Sequence, residues 1–442
     1  MPKVLRNTLL SLRDLAVTAG PFLLLAVALL LLAYWVLDPT PPRRVVLATG
    51  VDQGAYAEFG RRYAASLKRH GITVELRPTQ GAAENLALLR DADSGVDLAF
   101  VQGGADRGQR NDDDNDHLVS LGSMFFEPVW LFYREDAAKR LIASDTLTGL
   151  GQLAGWRVNV GAPGSGVPPL MDLLLEANRI DASTIELSRQ PLTPAVVDFL
   201  GGKLDALVIA SAPEALMVQM LLQTPGVKLA NFPQAEAYAR RFPFMSRVQL
   251  PRGVVDLARD IPPQDLRLVA PTATLVARES LHPALMQLFV QAARDAHSAP
   301  GWFHKKGEFP NADNTERPIA AEAQRVLRSG VPWLQRYLPF WAANLADRMW
   351  VVLLAIAAAL IPLSRVVPPL YEFRIRSRVF RWYGQLRAVE DAQGDKPAAE
   401  LLRELDDIEA HVGRVQVPLS YADELYALRS HIQLVRRRLQ TA

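Results

Sequence analysis

Apolar and polar positions along the chain change period several times, and the changes mark out its elements. Val45 to Ala48 is a short unbroken apolar run, the pattern of a strand buried on both faces. From Ala55 the period becomes helical, with Tyr56, Phe59, Tyr63, Ala64 and Leu67 at three- and four-residue spacing. Thr49, Gly50, Asp52, Gln53 and Gly54 form a small polar turn between them. The alternation then repeats. Ile72 to Leu76 reads as a strand, Gly81 opens a helix through Ala83, Leu86, Leu88 and Leu89, and Val96 to Val101 is another buried strand ending in Gln102, Gly103 and Gly104. Such a β-α-β-α-β run predicts an α/β fold with a parallel, doubly wound sheet.

A second series begins at Trp156. Trp156 to Gly161 reads as a strand, PGSGV leads into a helix carrying Leu170, Leu173, Leu174 and Ala177, and Ser183 to Leu187 is a further strand. Pro194 to Leu200 is helical, Ala206 to Ala210 is a buried strand, and Pro213 is placed to start a helix at Glu214. A strand at Val227 to Ala230 would close this second lobe. The aromatic, extended stretch Leu118 to Tyr133 is expected to cross between the lobes. Arg267 to Ala277 and a helix over Pro283 to Ala296 would return the chain to the first.

Two longer apolar segments flank this region. The first, about Leu15 to Leu37, follows Lys3, Arg6 and Arg13 and ends in large residues, not a small-residue cleavage site, so it reads as an uncleaved anchor. The second, Trp350 to Leu363 with an extension to Val367, is followed by Arg374, Arg376, Arg378 and Arg381. Basic flanks lie on the cytoplasmic side. They predict a two-pass protein of the inner (cell) membrane with both termini cytoplasmic and its main domain periplasmic. The expected domains are a cytoplasmic segment over 1–14, an anchor over 15–37, a proline-rich linker over 38–44, a bilobal domain over 45–340, a second span over 349–367 and a cytoplasmic helical tail over 368–442. Within the bilobal domain, lobe 1 would take about 45–132 and 235–300 and lobe 2 about 133–234. In the tail, Leu401, Leu405, Ile408, Val412 and Val415, then Leu425, Leu428, Ile432, Val435 and Leu439, predict two heptad helices separated at Pro418, either an antiparallel hairpin or a dimerising element. The arginines and aromatics of Tyr371 to Val389 fit a helix against anionic lipid, and equally an ordinary amphipathic bundle helix.

Composition narrows the chemistry. The 442 residues suffice for two or three domains. With 49 basic and 47 acidic residues the net charge is +2, which offers no field for nucleic acid. There is no cysteine, so disulfides and thiolate sites are excluded. NDDDND at 111–116 lacks the glycine and glutamate of a calcium loop and reads as a solvated turn. No metal or cofactor is expected.

The chemistry concentrates at strand ends. Glycine turns at Thr49 to Gly54, Gln102 to Gly104 and Gly161 to Gly166 follow buried strands, where open α/β sheets bind ligands. Helix N-termini there favour a carboxylate or phosphate. TGVDQGAY has neither G-K-[ST] nor G-x-G-x-x-G, which argues against nucleotides. GAPGSG is not a nucleophile elbow, and none of His70, His117, His282, His297 and His304 falls on a strand-end turn, so no nucleophile–base pair appears. Of Glu84 and Asn85, at the start of the second helix, Asn85 is the better ligand contact and Glu84 suits the helix dipole.

LATGVDQGAYAEFG from Leu47, GAAENLALLRDADSGVDLAFVQ from Gly81 and WRVNVGAPGSGV from Trp156 together resemble the TAXI family. These are the solute-binding receptors of tripartite ATP-independent periplasmic (TRAP) transporters, and the similarity covers about residues 43–300. It implies a two-lobed periplasmic-binding-protein fold of type II, flanked here by the two transmembrane helices and the C-terminal helical tail. It implies no catalysis, closure on a small organic anion or acidic amino acid, and a separate TRAP-type permease as partner beside the lipid bilayer. Matched residue by residue, its site falls on Thr49, Gly50, Gly54 and Tyr56, on Gly81 and Asn85, on Gln102, and on Ala162, Gly164, Ser165 and Gly166. Two positions depart from the family: Val51 stands for a second glycine, and Val167 for a threonine. The alternative is a transmembrane sensor signalling through the tail; an enzyme on the same fold ranks third.

Overall fold

The computed structural model describes residues 3–37, 40–106, 116–330, 333–393, 395–415, 417 and 421–441. They form two compact units, one of residues 40–344 and one of residues 1–39 with 345–442.

The chain opens with helix α1 (Lys3–Leu37), whose stretch Ala19–Val36 is long and apolar enough to cross a membrane and is not buried against protein. The larger unit follows. Its first lobe runs β1 (Arg44–Ala48), α2 (Ala55–Lys68), β2 (Thr73–Arg77), α3 (Ala82–Arg90), β3 (Leu98–Gln102) and β4 (Leu118–Phe126). The second lobe runs β5 (Val129–Arg134), α4 (Glu135–Ile142), β6 (Arg157–Asn159), α5 (Val167–Ala177), β7 (Glu186–Ser188), α6 (Leu192–Leu200), β8 (Ala206–Ala210), α7 (Leu216–Leu222) and β9 (Val227–Leu229). The chain returns through α8 (Ala235–Arg241), β10 (Met245–Leu250), β11 (Leu266–Arg278), α9 (Pro283–His297) and α10 (Ala321–Ser329).

The two sheets share one plan. The first is ordered β10-β11-β3-β1-β2 with β4 also on β11, and the second β7-β6-β8-β5-β9. In each, three parallel strands from successive βα units lie beside a strand that arrives from the other half and pairs antiparallel: β11 against β3 in the first, β5 against β8 in the second. Strand β3 is buried along its whole length, as its unbroken apolar run requires. β11 serves both lobes. Its first residues, Leu266 to Ala270, join the core of the second lobe, and Ala273 to Ala277 join that of the first.

Several expectations shift. The second sheet takes β5 whole, so the passage between lobes falls at Glu127–Pro128, a few residues before the expected boundary at 133. The helix expected at Glu214 begins at Leu216, with Pro213 and Glu214 in a preceding turn. α4, α8 and β10 are additions, each short and only partly apolar. The acidic run 111–115 lies outside the described residues. Asp116 does not stand free in solvent: with Asp106 it accepts ion pairs from Arg317 and Arg90.

α11 (Phe340–Asp391), which lies in the smaller unit from Leu345 on, runs through Pro368 and Pro369, residues that ordinarily end a helix. It bends instead by 44° between Met349–Pro362 and Arg365–Asp391. The bent pair reaches the length and apolarity of one span only as a whole. α12 (Ala398–Val412) and α13 (Ala422–Thr441) pack their heptad residues Leu401, Leu405, Ile408, Val412, Leu428, Ile432, Val435 and Leu439 on each other and on Val379, Leu386 and Val389 of α11. Arg436 pairs with Asp406 and Glu409 across the antiparallel hairpin, and Arg376 with Glu424. The heptads are therefore satisfied within one chain.

Candidate functional site

A cavity of about 130 Å³ lies between the two lobes. Four helices bring their first turns to it. Gly54, Gly81, Gly166 and Pro191 precede α2, α3, α5 and α6, and none of these caps provides a side-chain hydrogen bond. Gly54, Ala55, Gly81, Ala82, Gly166, Val167, Pro191 and Leu192 all line the cavity. The first N–H groups of a helix lack intrahelical acceptors and carry the positive end of its dipole. Small caps let a guest approach that backbone closely. Among the described residues the lining contains no lysine, arginine or histidine. Whatever positive potential it has comes from backbone.

Of the residues expected to bind ligand, Gly50, Gly54, Tyr56, Gly81, Gln102, Ala162, Ser165 and Gly166 line the cavity. Thr49, Asn85 and Gly164 do not. Asn85 is wholly buried; its amide donates to the carbonyls of Thr49 and of Phe100 (2.8 Å), and its Oδ1 lies 2.6 Å from the Thr79 hydroxyl. It therefore clamps the ends of β1 and β3 to α3, and the expectation of a direct contact is corrected. Thr49 holds the same clamp through its carbonyl, and its own N–H donates to the Arg77 carbonyl at 3.0 Å. Gly164 lies against Gln80 and Glu84 of the first lobe: a Cβ there would stand 2.8 Å from Gln80 Cβ. Ser165 spends its hydroxyl proton on the Ala162 carbonyl at 2.8 Å.

The prominent group missed from the sequence is Glu127. It is buried, it lines the cavity, and its Oε2 accepts from the Tyr56 hydroxyl at 2.7 Å. Burial pushes its carboxyl up to about 8, against the opposing pull of hydrogen bonds from Tyr56 and Gln102. Burial and the adjoining carboxyl together raise the Tyr56 hydroxyl far above its ordinary value. A signal did exist: Glu127 is the only charged residue in the apolar, aromatic stretch from Leu121 to Tyr133. Gln102 Oε1 is also buried and has no hydrogen-bond partner. Val51, Gln80, Asn159 and the β8 end, Val208 to Ser211, complete much of the wall.

His297 is buried outside this cavity, 2.7 Å from the Tyr63 hydroxyl, and burial drives it down to about 3, so it stays neutral. Ser165 and Ser211 thus share the cavity with no basic partner.

Comparison with solved structures returns distant likenesses. The alkanesulfonate-binding protein SsuA of Xanthomonas axonopodis pv. citri, bound to MOPS, is 12% identical, with 58% of this chain and 74% of that one covered and a TM-score of 0.40. The periplasmic aliphatic sulphonate binding protein SsuA of Escherichia coli is 14% identical over 76% of this chain and 88% of its own, with a TM-score of 0.37. The CcmR regulatory domain of Synechocystis PCC6803, in complex with 2-PG, is 11% identical over 58% and 98%, also at 0.37. Among curated proteins none matches this sequence. The model of the NMT1-like family matches residues 47–305, both lobes and their crossings together. The chain belongs to the NMT1-like family, a family of substrate-binding proteins and not of enzymes.

Proposed function

We propose that this chain is a membrane-anchored, extracytoplasmic receptor of TAXI type that captures a small carboxylate between its lobes and delivers it to a TRAP-type permease. The observation that carries the reading is the convergence of four helix N-termini, without a single basic side chain, on one interlobe cavity. Backbone donors grouped in this way suit a carboxylate, which takes several N–H bonds at once. The volume supports a short acid, since a cavity of roughly 150 Å³ accommodates a molecule of benzene size. The apolar stretch of α1, with Lys3, Arg6 and Arg13 before it, supports an anchor with the N-terminus inside. In this reading the bent α11, taken as a whole, is the second span, which puts α12 and α13 in the cytoplasm.

A thermal-shift screen of the full chain in detergent tests the assignment, with acetate, succinate, L-glutamate and neutral amides of similar size. A carboxylate at 100 times its dissociation constant should add about 2.7 kcal/mol of stability. A shift with the amides and none with the acids would overturn it.

The satisfied heptads bear on the sensor alternative. With the tail packed as a bundle within one chain, its heptad positions are already covered, while Phe373, Phe380, Tyr426 and Leu434 stay exposed. We therefore favour the tether, and truncation after Leu370 should leave ligand affinity unchanged.

A further inference from the structure

The wall of the cavity contains two buried polar groups that the carboxylate reading does not use. Glu127 is 3% exposed and Gln102 is 2% exposed, and both face the cavity. The Tyr56 hydroxyl donates to Glu127 Oε2, and the Gln102 amide hydrogen-bonds the same carboxyl. Gln102 Oε1 has no partner, and it lies over the second lobe, 2.1 Å from where a Cβ on Gly166 would stand. A buried acceptor left unpaired is costly, so its presence calls for an explanation.

We propose that Glu127 and Gln102 form a proton-controlled selector: with Glu127 protonated the Gln102 amide turns its N–H groups to the cavity and accepts a carboxylate, and with Glu127 ionised it turns its oxygen there and rejects one. The proposal rests on the reading of the cavity as a carboxylate site. An ionised carboxyl only accepts hydrogen bonds. It therefore holds the nitrogen of the Gln102 amide, and Oε1 is left facing outward. A protonated carboxyl donates. A half-turn of the amide then lets Oε1 take the acid proton and turns Nε2 toward the guest. This arrangement gives the orphan oxygen its partner and adds a side-chain donor to the four helix ends.

The surroundings place the switch in a useful range. Among the described residues no cation offsets Glu127. From α2 it meets only the Tyr56 hydroxyl, while Glu58, Arg61 and Arg62 of that helix pair with one another on its exposed face. From β3 it meets Gln102. From β11 the Pro271 carbonyl accepts its own N–H at 2.8 Å, and the arginines of that strand, Arg267 and Arg278, stand at its ends bonded to backbone carbonyls. On α3, Glu84 is occupied by the Gln80 N–H. From α5, α6 and β8 the lining residues are uncharged. Burial without a counter-charge puts the carboxyl near 8, so at neutral pH it is mainly protonated and the site is in its accepting form.

Calorimetry on the full chain in detergent tests this with acetate, succinate and L-glutamate, from pH 6 to 9.5, in two buffers of different ionisation enthalpy. Wild-type affinity should fall about tenfold per pH unit above pH 8, with close to one proton taken up per ligand at pH 9. Glu127→Gln, whose amide donates to Gln102 Oε1 as the acid does, should keep the pH 6 affinity throughout and take up no proton. Wild-type binding without proton uptake at pH 9 overturns the selector whether or not the variant folds. A folded Glu127→Gln that binds none of the acids bound by wild type also overturns it, because the charge itself would then be the recognition element. If the acids bind neither protein at any pH while a neutral amide does, the carboxylate reading falls and takes the selector with it.

Discussion

The amide N–H of Glu84 donates to the carbonyl of Gly164 at 3.0 Å, joining the first turn of α3 in one lobe to the glycine turn of the other. The approach is close. A Cβ on Gly81 would stand 3.2 Å from Ser165 Cα, and one on Gly164 would stand 2.8 Å from Gln80 Cβ. The lobes are in contact at this edge of the cavity, so glycine here sets how completely they close.

Two glycine substitutions separate closure from folding. Gly166 has φ −78° and ψ −8°, which alanine adopts freely, yet its Cβ would meet Gln102 Oε1. Gly166→Ala should leave the melting temperature nearly unchanged and weaken carboxylate binding by about 1–3 kcal/mol, the usual cost of overpacking. Gly81, at φ +136°, should lose stability as well as affinity when changed to alanine. Paired melting and binding measurements check both, and unchanged affinity in Gly166→Ala would place the binding cavity elsewhere.

Asn85→Ala is a stability variant in this structure. Removing the amide takes a donor from the buried Phe100 carbonyl and leaves that of Thr49 with the Thr79 hydroxyl alone, a loss of about 1–3 kcal/mol. Ser165→Ala removes one bond at the cavity wall and should cost about 1 kcal/mol or less. Urea unfolding of both should rank them in that order; equal midpoints would reject the clamp.

The pH dependence of stability carries the signature of Glu127. Its folded-state pKa, about 8, lies above the ordinary 4.5, so the native state holds the proton more tightly than the unfolded chain does. The burial therefore costs nothing extra below pH 4.5, becomes more destabilising as pH rises to 8, and is constant beyond. Relative to wild type, Glu127→Gln should gain stability across that window at up to about 1.4 kcal/mol per pH unit. A flat difference between pH 5 and 8 would contradict the buried, unpaired carboxyl.

His297 has the opposite dependence. Its neutral form is buried against Tyr63 and its folded pKa is about 3, below the ordinary 6.5, so the native state refuses a proton that the unfolded chain accepts. Its contribution is intact above pH 6.5 and is lost as pH falls toward 3. His297→Gln should flatten the acid limb of the unfolding curve between those values.

Membrane topology is open to reporter fusions. A periplasm-dependent reporter should be active after Pro42 and near Leu338, and inactive after Arg381. Activity at Arg381 would remove the second span and place α12 and α13 outside.

Much of the lobe architecture was legible because buried parallel strands write unbroken apolar runs. β1, β3 and β8 stand out as VVLA, LAFV and ALVIA, and the glycines after the first two mark the turns. The helix that starts at Gly81 was equally plain. What sequence could not give was which polar residue faces inward. Asn85 at a helix start has the same local pattern whether it points to a ligand or ties two strand ends together; only the positions of Thr49 and Phe100, far off in sequence, decide it. Glu127 was hidden for a related reason. Its aromatic neighbours read as a crossing strand, and its partner Tyr56 lies 71 residues away. The run of α11 through Pro368 and Pro369 defeated a local rule: prolines usually end helices, and here the helix continues.

The passage from β4 to β5 consists of Glu127 and Pro128. Proline fixes its own φ and confines the residue before it to extended backbone. As a mechanical part this link is a stiff leaf spring: it bends chiefly where the strands meet it, at Phe126 and Val129. Rotation of one lobe against the other therefore has few torsional axes here. Glu127, bonded to Tyr56 of the first lobe, thus sits within the stiff link through which the chain enters the second.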